Sequence, residues 1–177
     1  MNYPKILTVV LAVTASLAIV TTAHAQAPSD PQIVGIVQAA NRIDINTSTI
    51  ALSKTTNSQV KEFANQMVTD HTTLEKAVSD LAKKEHITPE TSATSNQLNR
   101  QATAEDKKLR SLSGAAFDRE YISHEVAFHQ AVIQAATTTL IPNAKNAELK
   151  SALQNTAAPL LQGHLQHAQQ VEKSLGS

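Results

Sequence analysis

The sequence predicts an all-α protein: an antiparallel four-helix bundle with an additional short helix between its two helical hairpins. Three observations carry this reading. Apolar residues recur at helical spacing in four long stretches. The clearest has Val60, Met67, Leu74 and Leu81 seven residues apart, with Phe63, Ala64, His71 and Val78 interleaved. Glycine is scarce, at 4 of 177 residues, while Ala, Thr, Gln and Leu dominate, a composition that favours helix over sheet. The connections after the first and third stretches are short, so each pair of helices folds back on itself. At this length a single domain, 31–177, is the expectation.

The first 25 residues have the pattern of a secretory signal. Lys5 is the basic start, Ile6 to Val20 is apolar but broken by Thr8, Thr14 and Ser16, and Ala23-His24-Ala25 is a cleavage site before Gln26. The apolar part falls short of the roughly 20 residues a membrane span needs. The expected product is periplasmic or secreted, with cleavage after Ala25 and no integral span afterwards. Residues 26–30 form a flexible lead-in.

The four helices follow in order. The first runs from Pro31 to about Thr55, with Asp30 as N-cap and Pro31 at the first helical position, where no donor is lost. Asn57 or Ser58 caps the second, which carries the Val60–Leu81 seam to about Glu85, before Thr88-Pro89 stops it. Thr91 to Asn96 is polar and reads as loop. Gln97 to Leu112, weakly periodic, is the short exposed helix that returns the chain along the bundle. The third long helix spans Ala115 to Ile141, and Pro142-Asn143 ends it. The fourth spans Asn146 to Leu175, with Pro159 expected to remove a backbone bond and bend it.

Composition narrows the function. With 15 basic and 15 acidic residues and no basic run beyond Lys83-Lys84 or Lys107-Lys108, nucleic acid and anionic membrane surfaces are poor partners. No protein partner is specified, although Gln97–Leu112 or another exposed helix face is available for one. There is no cysteine, which excludes disulfides, thiolate metal sites and a Cys nucleophile. No phosphate loop, G-x-S-x-G elbow or H-E-x-x-H pair is present, so the sequence favours a non-enzymatic protein.

The informative residues are polar ones in apolar seams. If the first hairpin turns near Asn57, Asp44 and His71 lie 13 and 14 residues from it. At about 1.5 Å rise per residue they are level. If the second turns near Lys145, Glu125 and His164 lie 20 and 19 residues away, also level. His129 is one turn from Glu125 and His167 nearly one turn from His164. Asp44, His71, Glu125, His129, His164 and His167 are therefore candidate metal ligands, and imidazole with carboxylate suits iron, copper, zinc or manganese. The leading reading is a non-enzymatic, metal-free network in which histidines and acids satisfy one another and fix register; the alternative is a metal-binding carrier or oxidase that uses these seam histidines. No histidine has Glu or Asp three residues before it, which argues against the Glu-x-x-His di-iron arrangement. His124 is expected to pack near Tyr121 and Phe128, and His86 to sit at a helix C-terminus.

Three segments carry a family resemblance: VKEFANQMVTDHT (Val60 to Thr72), LSGAAFDREYISHEVAFHQAV (Leu112 to Val132) and the ELKSAL…APLLQGHLQHA run (Glu148 to Ala168). They resemble the exported bacterial family called domain of unknown function 4142, within the ferritin-like four-helix bundles, from about Ile36 to Val171. The resemblance implies a periplasmic or envelope-associated ferritin-like bundle of unestablished biochemical role. The family's histidines map onto His71, His129 and His164, and its first-helix acid onto Asp44, where Glu is more usual. Glu125 stands where the family tends to be apolar, and His167 lies outside its motif.

Overall fold

The computed structural model describes residues 27–176; the expected signal segment lies outside them. Among the described residues the chain is helical with no strand. α1 is Asp30–Lys54, α2 Ser58–Lys84, α3 Ala93–Ser111 and α4 Gly114–Ala135. A π turn, Ala136–Leu140, continues α4 into the short α5, Ile141–Asn143. α6, Ala147–Ala152, passes through a second π turn, Leu153–Ala157, into α7, Ala158–Leu175. The most extensive pairings are α1 with α2 and α4 with α7, and α1–α4 and α2–α7 contacts close the bundle. α3 runs over α1 as the crossover that lets α4 start from the opposite end. The expected two hairpins and intervening helix are present.

Local chemistry explains the boundaries, including those the sequence misplaced. Ser29, not Asp30, caps α1: its hydroxyl accepts from Gln32 N–H, and the Gln32 side chain accepts from Ser29 N–H. Asp30 is used elsewhere, accepting from the backbone N–H groups of Lys145 and Asn146 at 2.9 Å each and tying the start of α1 to the α5–α6 turn. Asn57 caps α2 as expected. His86, just past α2, takes a left-handed φ of 56°. The bonds Ile87 N–H to Ala82 O and His86 N–H to Lys83 O complete a Schellman end.

α3 starts at Ala93 rather than Gln97, because Ser92 and Ser95 form a capping box within the stretch read as loop. Each of the two prolines follows a π turn. A proline ring lacks an N–H and clashes with the carbonyl four residues back. For Pro142 and Pro159 those carbonyls belong to Thr138 and Asn155, each the middle residue of a π turn. The wider turn, closed by Ile141 N–H to Ala136 O and Ala158 N–H to Leu153 O, absorbs the ring. Pro142 therefore does not end its helix, which continues to Asn143.

The core falls into two apolar halves. One, nearer the α1–α2 turn, holds Phe63, Met67, Leu109, Phe117, Tyr121 and Ile122. The other holds Ile33, Val34, Ile36, Leu140, Leu149 and Leu153. On every core helix the residues between these halves include the polar ones described next.

Candidate functional site

Each bundle helix delivers its polar residue to one layer because that residue occupies a seam position. α1 brings Asn41, Asp44 and Thr47; α2 brings His71; α4 brings Glu125 and His129; α7 brings His164. All are buried, with His129, His164 and Glu125 at 0 % exposure. The three imidazoles form a triangle, with ring centres 5.7 Å apart for His71–His129, 5.1 Å for His71–His164 and 5.4 Å for His129–His164. One ligand atom from each lies within 4.8 Å of the others, and the same holds for Asp44, Glu125 and His129. His129 therefore belongs to both groups.

The hydrogen bonds fix what each ring offers. His71 Nδ1 is 3.0 Å from Asn41 Oδ1, His129 Nδ1 is 3.0 Å from the Glu125 carbonyl, and His164 Nε2 is 2.9 Å from Asp70 Oδ2. All three partners are acceptors, so each of these nitrogens carries the proton. The other nitrogen of each neutral ring then holds a lone pair. Those nitrogens, His71 Nε2, His129 Nε2 and His164 Nδ1, have no hydrogen-bond partner among the described residues. Nor do Asp44 Oδ1 and Glu125 Oε2. Asp44 Oδ2 lies 3.5 Å from His71 Nε2, and His129 Nδ1 lies 3.5 Å from Glu125 Oε2.

Burial sets the charge states. It pushes His71 down to about 2, helped by the neighbouring His129 and His164, and His129 down to about 4 with help from His164. His164 is lowered by burial against the opposing pull of Asp70. Burial lifts the Asp44 carboxyl to about 7 despite its hydrogen bond with Glu125. Glu125 is raised well above the usual range by burial and then by the Asp44 charge, although the Thr47 hydroxyl lies 3.2 Å from its Oε1. The groups are held neutral by lack of solvent rather than by ion pairing.

Five of the six residues singled out from sequence thus meet in one layer. The level match of Asp44 with His71 appears as their 3.5 Å approach. Glu125, expected level with His164, shares the layer with it and faces Asp44 and Thr47 on α1. His167 stands apart from both groups: its Nδ1 is 2.8 Å from Gln66 Oε1 and its ring meets the edge of Phe63. His124 stacks on Phe128, in line with a packing role. Asn41 and Asp70, which orient two of the rings, were missed. Asn41 precedes Asp44 by one turn on the same face of α1, a signal that was available. Asp70 looks outward on a helical wheel of α2 alone, and only the position of α7 shows that it reaches His164.

The fold and this layer define a class: a helical bundle with a buried imidazole–carboxylate centre. The chain belongs to the family described as domain of unknown function (DUF4142), whose model matches residues 16–171. No curated protein and no solved structure matches the chain.

Proposed function

We propose that this protein is an exported transition-metal-binding bundle in which His71, His129 and His164 supply the nitrogen ligands and Asp44 and Glu125 the oxygen ligands. One observation carries the reading: three buried imidazole nitrogens in one layer have no hydrogen-bond partner among the described residues and face the Asp44–Glu125 carboxyl pair, while the opposite nitrogen of every ring is oriented by a protein oxygen. A network that served only to fix register would spend its donors on its acceptors. Here the lone pairs face one another, and burying unpaired polar atoms is costly. An imidazole whose other N–H is held by a carboxylate, amide or carbonyl is also the usual state of a metal-ligating histidine. Imidazole-rich sites suit zinc, copper or iron, and the added carboxylates keep manganese in view. Export is supported by the residues that precede Gln26, and no helix among the described residues is long and apolar enough to cross a membrane.

The test is metal analysis of purified protein, followed by titration of chelator-treated protein with iron, copper, zinc and manganese. Binding should raise the melting temperature, since a ligand at a hundredfold excess over its Kd adds about 2.7 kcal/mol to stability. His71→Ala and His164→Ala should abolish the response, and Asp70→Asn should weaken affinity by about 10- to 100-fold. Absence of copurified metal together with an unchanged melting temperature for all four ions would overturn the reading.

A further inference from the structure

On one side of the polar layer the bundle is packed with Phe63, Met67, Phe117 and Tyr121. On the other, beside the core of Ile33, Val34 and Leu149, the helices stand apart. A cavity of about 630 Å³ extends between α1, α2, α3, α4 and α6, with Asn41, Asp44 and His71 at its inner end. Alanines contribute to its wall, among them Ala40, Ala77, Ala131, Ala136 and Ala152, beside larger apolar side chains such as Leu74, Phe128 and Leu161. Both π turns contribute to the wall, through Ala136 and Leu140 and through Leu153 and Thr156. Such wide turns occur frequently at functional sites. The cavity opens to solvent past exposed Ala77, Thr94, Gln97 and Ala131, and its mostly apolar walls with a few polar groups are the usual lining of a small-molecule site. Its volume is in the ordinary range for small-molecule sites, about 300–1,000 Å³.

The entrance defines the ligand further. Its exposed polar residues are Thr94, Gln97, Gln101 and Thr156, all uncharged, and no lysine or arginine lines the cavity. An anionic head group would find no cation there, and a cationic one only the buried Asp44. A partner helix, about 10 Å across with its side chains, would have to displace α3, whose Leu98 packs against the core below. We propose that the cavity binds an uncharged single-chain amphiphile, its aliphatic tail along the alanine walls and its hydroxyl or similar head among the glutamines and threonines of the entrance. This goes beyond the metal reading and does not need a metal in the layer.

Three probes with one tail and different heads test it: decanol, decanoate and decyltrimethylammonium, titrated calorimetrically into chelator-treated and metal-loaded protein. Decanol should bind at least about tenfold tighter than either ion, because only the ionic heads meet an entrance without countercharge. Ala77→Trp and Ala131→Trp place bulk at exposed wall positions, and each should weaken decanol binding at least about tenfold with the melting temperature unchanged. Decanol affinity should be the same with and without metal, so a failed metal titration would leave this result standing, and the converse also holds. Decanol binding no tighter than decanoate, or Trp variants that bind like the parent, would overturn the proposal.

Discussion

At the scale of single residues, each histidine of the layer gives one nitrogen to a protein oxygen and keeps the other for the interior. That division makes the metal-free protein sensitive to pH in two opposing ways. His71 and His129 are held down to about 2 and about 4 from 6.5. Above 6.5 they cost nothing; as pH falls below it the unfolded chain takes up protons that the folded chain refuses, and stability is lost towards the folded values. Asp44 is raised from 3.8 to about 7, so the folded chain keeps a proton that the unfolded chain releases, and stability is lost as pH rises from 3.8 to about 7. Urea midpoints of chelator-treated protein should show both effects. His71→Gln should lose less stability than the parent between pH 6.5 and 4, and Asp44→Asn should lose less between 3.8 and 7. Variants with profiles parallel to the parent would mean that these groups do not hold the assigned charge states.

At the scale of elements, two glycines on helices test the packing in opposite directions. Gly35 on α1 lies beneath the chain after α2: a Cβ there would collide with the Glu90 carbonyl oxygen, and Glu90 N–H bonds to Pro31 O at 3.0 Å. Gly35→Ala must push that strap away, and overpacking of this kind costs about 1–3 kcal/mol, more than the roughly 1 kcal/mol gained in helix propensity. Gly163 on α7 has nothing within 4 Å of its would-be Cβ, so Gly163→Ala should keep the gain of about 1 kcal/mol. Thermal melts of the two variants should move in opposite directions. The close approach at Gly35 could not be read from the sequence, because it depends on where a loop some fifty residues later comes to rest.

The same distinction explains what else was legible. The Val60–Leu81 helix was, since its seam repeats within one element and needs no knowledge of neighbours. The levels of Asp44 and His71 were legible because helical rise is constant and both are counted from the same turn. The partner of Glu125 was not: counting within the second hairpin placed it level with His164 but carried no information on which face meets α1. The start of α3 was missed because Ser92 and Ser95 belong to a polar run that reads as loop, and the capping box asserts itself only once the helix behind it exists. The π turns before Pro142 and Pro159 were not legible, because a wider turn leaves no mark in side-chain periodicity.

At the scale of the whole molecule, a polar layer separates two apolar half-cores, and its contribution to folding can be separated from its contribution to binding. Removing one member of a buried polar set strands the rest, whereas replacing the whole set with apolar residues of similar volume is often neutral or stabilising by about 1–4 kcal/mol. A sixfold variant, Asp44→Leu, His71→Leu, Glu125→Met, His129→Leu and His164→Met, made together with Asn41→Leu so that the amide bonded to His71 is not stranded, would join the half-cores of Phe63, Met67 and Tyr121 on one side and Ile36, Leu140 and Leu153 on the other. In chelator-treated form it should be at least as stable to urea as the parent, while Glu125→Ala alone should be clearly less stable. It should also show no rise in melting temperature with any metal that stabilises the parent. If instead the sixfold variant unfolds well before the chelator-treated parent, the layer is holding the fold by itself, and a metal-free network that fixes helix register becomes the better account of why four helices each commit a polar side chain to the same depth.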